Sequence, residues 1–230
     1  MRRSPVPTLD RVYHDDATKL LATWRARCVD VVVSDPPYGN NVRYGAAGRR
    51  IAGDEHPLVG LQGIAATYRL LKNDSAAFVF CGARHLGFLQ HFFLAYSQYR
   101  VREVLAWDKR QAGFGSTFRG AYESVLVLEK GRPRYRVRSL PTLLSVPRAS
   151  ATFHPHAKPV ALLERLITAS SDAGDIVLDP FVGSGSTGVA AANLGRRFVG
   201  VEIEPTYVGI ARDRLAQALA SASEPEQRAA

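Results

Sequence analysis

The chain has 230 residues, 46% of them hydrophobic, and a formal charge of +9 from 30 Lys and Arg against 21 Asp and Glu. That length supports one core, expected as a single domain over 1–230, and the positive surplus favours a polyanionic partner such as nucleic acid over an acidic one. Two cysteines without CxxC spacing argue against a zinc site or a disulfide framework, and no run reaches the roughly eighteen apolar residues of a membrane span, so neither span nor signal peptide is expected and a reducing cytoplasm fits.

In chain order, Val29–Ser34 is the first expected buried strand, an apolar run of the kind found in parallel sheets. Asp35-Pro36-Pro37-Tyr38 follows at once, at the carboxyl end of a strand, where open α/β sheets hold their ligands. The two prolines fix the backbone and remove two N–H donors, leaving carbonyl oxygens to accept from outside. Asp35 and the Pro36 carbonyl suit the two hydrogens of an exocyclic amine on a planar ring, on which Tyr38 can stack. An isolated tetrapeptide of this kind also fits a tight structural turn.

Residues 40–53, with Arg43, Tyr44, Arg49 and Arg50 among glycines, break the strand–helix pattern and read as a basic substrate loop. Helices are expected at 58–71 and 86–96, and strands at 76–81, 101–107 and 124–128. The pattern breaks again over 131–155. The segment holds five arginines, Arg148 and the alternating run Arg132, Arg134, Arg136 and Arg138, which an extended backbone would put on one face, either toward a substrate or as a solvated charged edge.

A helix over 159–170 and a strand over 175–178 lead into Asp179-Pro180-Phe181-Val182-Gly183-Ser184-Gly185-Ser186-Thr187. Glycines here let the backbone approach a ligand, and a helix opening near Thr187 aims its N–H groups at it. The next strand, 197–201, brings Glu202 about twenty residues on, a position where an acidic side chain holds ribose hydroxyls. The glycine spacing is not GxGxxG, and Asp179 stands where a pyrophosphate would sit badly. This favours a sulfonium cofactor, S-adenosylmethionine, over a dinucleotide. A helix over 206–220 and a disordered tail over 221–230 complete the expectation, and alternation of this kind means an α/β sheet with helices on both faces.

Together these residues resemble the amino-group (N6-adenine/N4-cytosine) DNA methyltransferases, specifically the permuted beta-class subgroup in which Asp-Pro-Pro-Tyr precedes Phe-x-Gly-x-Gly. His154-Pro155-His156-Ala157-Lys158-Pro159 resembles the family's HP-x-x-KP segment, and Trp107-Asp108-Lys109 and Tyr122-Glu123 resemble its strand-end motifs behind the catalytic loop. The resemblance implies a Rossmann-like, seven-stranded α/β fold with circularly permuted motif order, in which Arg11–His14 supplies the strand beside the one ending at Glu202. It implies S-adenosylmethionine as cofactor, with Asp16 beside its adenine, Lys158, Pro159 and Asp179 toward its methionine end, Pro180, Phe181, Gly183, Gly185 and Thr187 lining it, and Glu202 on its ribose.

The reaction it implies is direct methyl transfer to adenine N6 in DNA, with cytosine N4 as the alternative; an RNA amino methyltransferase and an inactive nucleic-acid-binding relative are less favoured. Both arginine segments are expected to line one cleft with Asp35 and to meet DNA phosphates. No metal is called for. A cytosine C5 reaction is disfavoured because it needs a thiolate on the catalytic loop, whereas Cys28 and Cys81 sit in apolar runs. No segment resembles a large target-recognition domain, which leaves open relaxed specificity or a homodimer, and a restriction endonuclease partner is compatible with the reading.

Overall fold

A computed structural model describes residues 4–39, 43–44, 49–50, 56–111, 117–137, 139–148 and 157–228. The strands are β1 (Arg11–His14), β2 (Val29–Ser34), β3 (Arg43–Tyr44), β4 (Arg49–Arg50), β5 (Leu71–Cys81), β6 (Arg100–Asp108), β7 (Tyr122–Lys130), β8 (Leu143–Ser145), β9 (Ile176–Asp179) and β10 (Arg197–Glu202). The helices are α1 (Ala17–Thr23), α2 (Pro57–Leu70), α3 (Leu86–Tyr96), α4 (Val160–Ser170), α5 (Ser186–Asn193) and α6 (Pro205–Arg228). One eight-stranded sheet has the order β1-β10-β9-β2-β5-β7-β6-β8, and β3 and β4 pair separately as an antiparallel hairpin.

All strands of the large sheet run parallel except β7, which is antiparallel to both β5 and β6. The central strand β2 is buried on both faces, which is why it reads as an unbroken valine run: Val31 and Val33 meet one core, Val29 and Val32 the other. The first core is closed by Leu162, Leu163, Leu166 and Ile167 of α4, alanines of α5 and Leu215 of α6. The second is closed by Leu21 of α1, Leu61 and Ile64 of α2, and Leu89 and Phe93 of α3. At about 1.5–3 kcal/mol per fully buried large apolar side chain, these two layers are the principal force holding the sheet.

β1 pairs in parallel with β10, Val12 opposite Gly200, so the first strand of the chain lies at the sheet edge beyond Glu202 as expected. Two expectations are corrected. The sheet has an eighth strand because Leu144 of the supposed loop 131–155 is buried beside β6, where the Trp107 indole N–H also donates to the Val146 carbonyl at 2.8 Å. Of the supposed disordered tail 221–230, residues 221–228 continue α6, Pro225 included, and 229–230 lie outside the described residues. Among the described residues no helix is long and apolar enough to cross a membrane.

Candidate active site

Because the strands are parallel, β1, β10, β9, β2, β5 and β6 all end at one edge of the sheet, and antiparallel β7 begins there. The side chains gathered at that edge are therefore Glu202, Asp179, Asp35 and, from the first turn of β7, Glu123.

The loop after β9 is organised around Asp179, which is 2% exposed. Its Oδ1 accepts from the Ser34 hydroxyl at 2.6 Å and from the Phe181 N–H at 3.0 Å, and its Oδ2 accepts from the Thr187 hydroxyl at 2.7 Å. One carboxylate thus ties the end of β2 to the glycine loop and to the start of α5. Burial pushes its pKa up to about 6 against the pull of these three donors. Pro180 is buried and Phe181 half-buried.

Gly183 and Gly185 have φ of +53° and +85°, in the left-handed region that favours glycine. A Cβ on Gly185 would stand 2.9 Å from the Ala211 Cα, so that glycine serves close packing of the loop on α6. A Cβ on Gly183 would meet nothing within 4 Å, so this glycine faces open space at the sheet edge. The Gly183 N–H donates to Glu202 Oε2 at 2.7 Å and the Glu204 N–H to Oε1 at 2.8 Å, fixing the Glu202 carboxylate beside that space. Burial raises the Glu202 pKa, opposed by these backbone donors. Asp16 caps α1, accepting at Oδ1 from the Thr18 N–H at 2.8 Å and hydroxyl at 2.6 Å; the Thr18 bonds lower its pKa. It lies two residues past β1, whose His14 is paired with Glu202.

At the other motif, Asp35 is half-buried with its two oxygens in different situations. Oδ2 accepts a short hydrogen bond from the Lys158 ammonium, while Oδ1 is buried and meets no donor among the described residues. Burial raises the Asp35 pKa, working against Lys158. The Tyr38 ring stacks near His85, centroids 6.1 Å apart at 26°. Lys158 sits between Asp35 and Glu123, 3.2 Å from the latter, directly before Pro159 caps α4.

Residues given no role at the site from sequence, Glu123 and Lys109 among them although both stand in its strand-end motifs, complete the edge. Ser34 is the donor to Asp179. Glu123 is held at about 2 although burial pushes it upward, because the ammonium groups of Lys158 and Lys109 overcome that cost. Gly60 and Gly63, one turn apart on α2, let the helix touch both motifs at once: a Cβ on Gly60 would stand 2.4 Å from the Pro37 carbonyl oxygen, and one on Gly63 2.5 Å from the Phe181 ring.

The arginine segments separate. The β3–β4 hairpin carrying Arg43, Tyr44, Arg49 and Arg50 leaves the chain after Gly39 and rejoins it before α2, where a Cβ on Gly39 would stand 2.5 Å from Pro57, so it rises from the Asp35 loop. Residues 131–136 lie at the opposite edge, because β7 carries the chain away from the site: the Arg132 N–H donates to Asp74 Oδ1 near the start of β5, and Arg136 pairs with Asp172 just before β9. The expected cleft shared with Asp35 is therefore not formed by Arg132, Arg134 and Arg136, and Arg138 lies outside the described residues. Arg148, from the same 131–155 segment, does stand at the site edge: with Arg110, Gln111 and Pro147 it lines a cleft of about 540 Å³ beyond the ends of β6 and β8.

The N6/N4 DNA methylase family model matches residues 29–213. The chain is similar to the methylase YubD of Escherichia coli K12, 33% identical over 210 residues that cover 90% of this chain and 91% of that one. It is 27% identical over 242 residues to the DNA adenine methyltransferase YhdJ of the same organism, covering 89% and 82%. The crystal structure of the M1.HpyAVI–SAM complex superposes with a TM-score of 0.70 at 26% identity, covering 89% of this chain and 98% of that one.

Proposed function

The chain belongs to the N6/N4 DNA methylase family and is an S-adenosylmethionine-dependent amino-group DNA methyltransferase; on that premise we propose that its target is adenine N6. The observation that carries the base-binding side is Asp35: one oxygen is fixed by Lys158, and the other is buried with no donor among the described residues, free to accept one from a base. The amino nitrogen of a base is a poor nucleophile because its lone pair is delocalised into the ring. An N–H bonded to Asp35 Oδ1, and the second to the Pro36 carbonyl, draws that pair back toward nitrogen as charge develops. Tyr38 supplies the ring face for a base taken out of the duplex, a step costing a few kcal/mol.

The open space at Gly183 beside the fixed Glu202 carboxylate fits the cofactor, with Glu202 placed for ribose hydroxyls and Asp16 next to it for the adenine. When bound, S-adenosylmethionine supplies a methyl group on a sulfonium. Asp35 and Tyr38 hold the acceptor nitrogen toward it, and orientation is the main contribution of the protein. Adenine is favoured over cytosine by the acidic first residue of the tetrapeptide and by the similarity to a DNA adenine methyltransferase. Mass spectrometry of digested product DNA is expected to show N6-methyladenine; N4-methylcytosine alone would overturn the choice of base.

DNA phosphates are met, on this reading, by the hairpin over 43–50 and by Arg110 and Arg148, and not by the arginines on the far edge. Replacing Arg110 and Arg148 with Gln should flatten the salt dependence of DNA affinity by up to about 0.9 per lost phosphate contact. The same change at Arg132 and Arg134 should leave the slope as it is. A slope that responds to the second pair and ignores the first would put the DNA on the opposite edge.

A further inference from the structure

Four charged side chains from four separate elements meet behind Asp35. Lys158 precedes α4, Glu123 opens β7, Lys109 follows β6, and Asp35 follows β2. The Lys158 ammonium is hydrogen-bonded to Asp35 Oδ2 and lies 3.2 Å from Glu123 Oε2, while Lys109 lies 2.6 Å from Glu123 Oε1. The two lysines also lie over rings, Lys158 over Phe80 at 5.2 Å and Lys109 over Trp107 at 5.5 Å. Both lysines are more than nine-tenths buried, yet the set is neutral as a whole. Burying four charges does not repay itself in stability, since apolar residues of similar volume commonly do as well, so the cluster needs a reason outside folding.

The reason lies in how one ammonium is divided. Lys158 bonded to Asp35 alone would place its full charge on the carboxylate that has to accept the target N–H, and would weaken it as an acceptor. We propose that Glu123 is a positioning residue that, through its ion pair with Lys158 at 3.2 Å, keeps Asp35 fixed by Oδ2 while leaving Oδ1 a strong acceptor for the target amine, with Lys109 setting how much of Glu123 is available for the task. This rests on the reading of Asp35 as the amine acceptor.

Among the described residues, the groups that face Asp35 are Lys158, Glu123, Lys109, Cys81 at the end of β5 and Asp179 at the end of β9. Cys81 stays neutral, its thiol pushed up to about 12 chiefly by burial. Asp35 must be ionised to work, so turnover falls on the acid side as it protonates. After burial, Glu123 raises the Asp35 pKa and Lys109 lowers it, so removing either charge moves the acid limb in opposite directions.

The test is kcat against pH for the full chain carrying Glu123→Gln, Glu123→Asp or Lys109→Met, with S-adenosylmethionine affinity measured by calorimetry. Glu123→Gln is expected to lower plateau kcat on the order of 10- to 100-fold and to shift the acid limb to lower pH, with cofactor affinity unchanged and partial rescue by Glu123→Asp. Lys109→Met is expected to shift the limb to higher pH, and it carries the test if the Gln variant does not fold. Limbs that stay in place or move together, or a loss of cofactor affinity that matches the loss of kcat, would overturn the proposal. If Asp35→Ala is dead while Glu123→Gln turns over normally, the acceptor reading stands and only the role of Glu123 fails.

Discussion

Asp35→Ala is expected to reduce methyl transfer by about 10²- to 10³-fold, the scale on which a single preorganised polar group stabilises developing charge, and to leave S-adenosylmethionine affinity unchanged. The separation follows from geometry: Asp35 belongs to the loop after β2, whereas the open space at Gly183 and the Glu202 carboxylate belong to β9 and β10. The Lys158 ammonium keeps Glu123 as a partner when Asp35 is gone, but two buried lysines then share one carboxylate, so some stability is lost and a thermal melt on the same preparation checks that the variant is folded. Single-turnover methylation and a calorimetric cofactor titration on the same preparation decide it. Near-native turnover would remove Asp35 from the chemistry.

Asp179→Ala should cost about 2–4 kcal/mol of stability together with cofactor affinity, because it strands two buried hydroxyls, of Ser34 and Thr187, and the Phe181 N–H without an acceptor. Asp179→Asn separates the carboxylate's charge from its hydrogen bonds, since an amide keeps an acceptor for Phe181 and the hydroxyls can rotate to suit its N–H groups. The folded pKa of about 6 lies above the unfolded value of 3.8, so the folded state binds more protons than the unfolded one between them. This group's contribution to stability is therefore fully present below about pH 4 and is lost as pH rises toward about 6. In denaturant melts across that range the Asn variant should lack this decline, and its stability relative to the native chain should improve with rising pH. A constant difference would mean that Asp179 is ionised throughout.

The strands of the sheet centre were legible because burial on both faces leaves unbroken apolar runs, and the two motif loops because Asp35, Gly183 and Glu202 follow such runs directly. β8 was not, since three residues with one buried Leu144 carry no period. Glu123 and Lys109 were legible as parts of strand-end motifs behind the catalytic loop but not in their roles, since the reversed direction of β7 is what brings Glu123 to the same edge as Asp35. The same reversal misled the reading of the arginines. Their alternation implied an extended face, but the direction of the preceding strand decides which edge of the sheet they reach, and Arg136 turns aside to Asp172.

Gly60 and Gly63 make α2 a shared floor for two loops that lie more than a hundred residues apart in the chain. A helix is stiff along its axis and these residues are one turn apart, so bulk added under either loop tilts the support of the other. Evolution therefore cannot enlarge the pocket for the base and reshape the cradle for the methyl donor as independent projects: substitutions at Pro37 and Phe181 should be epistatic through a helix that takes no part in the chemistry.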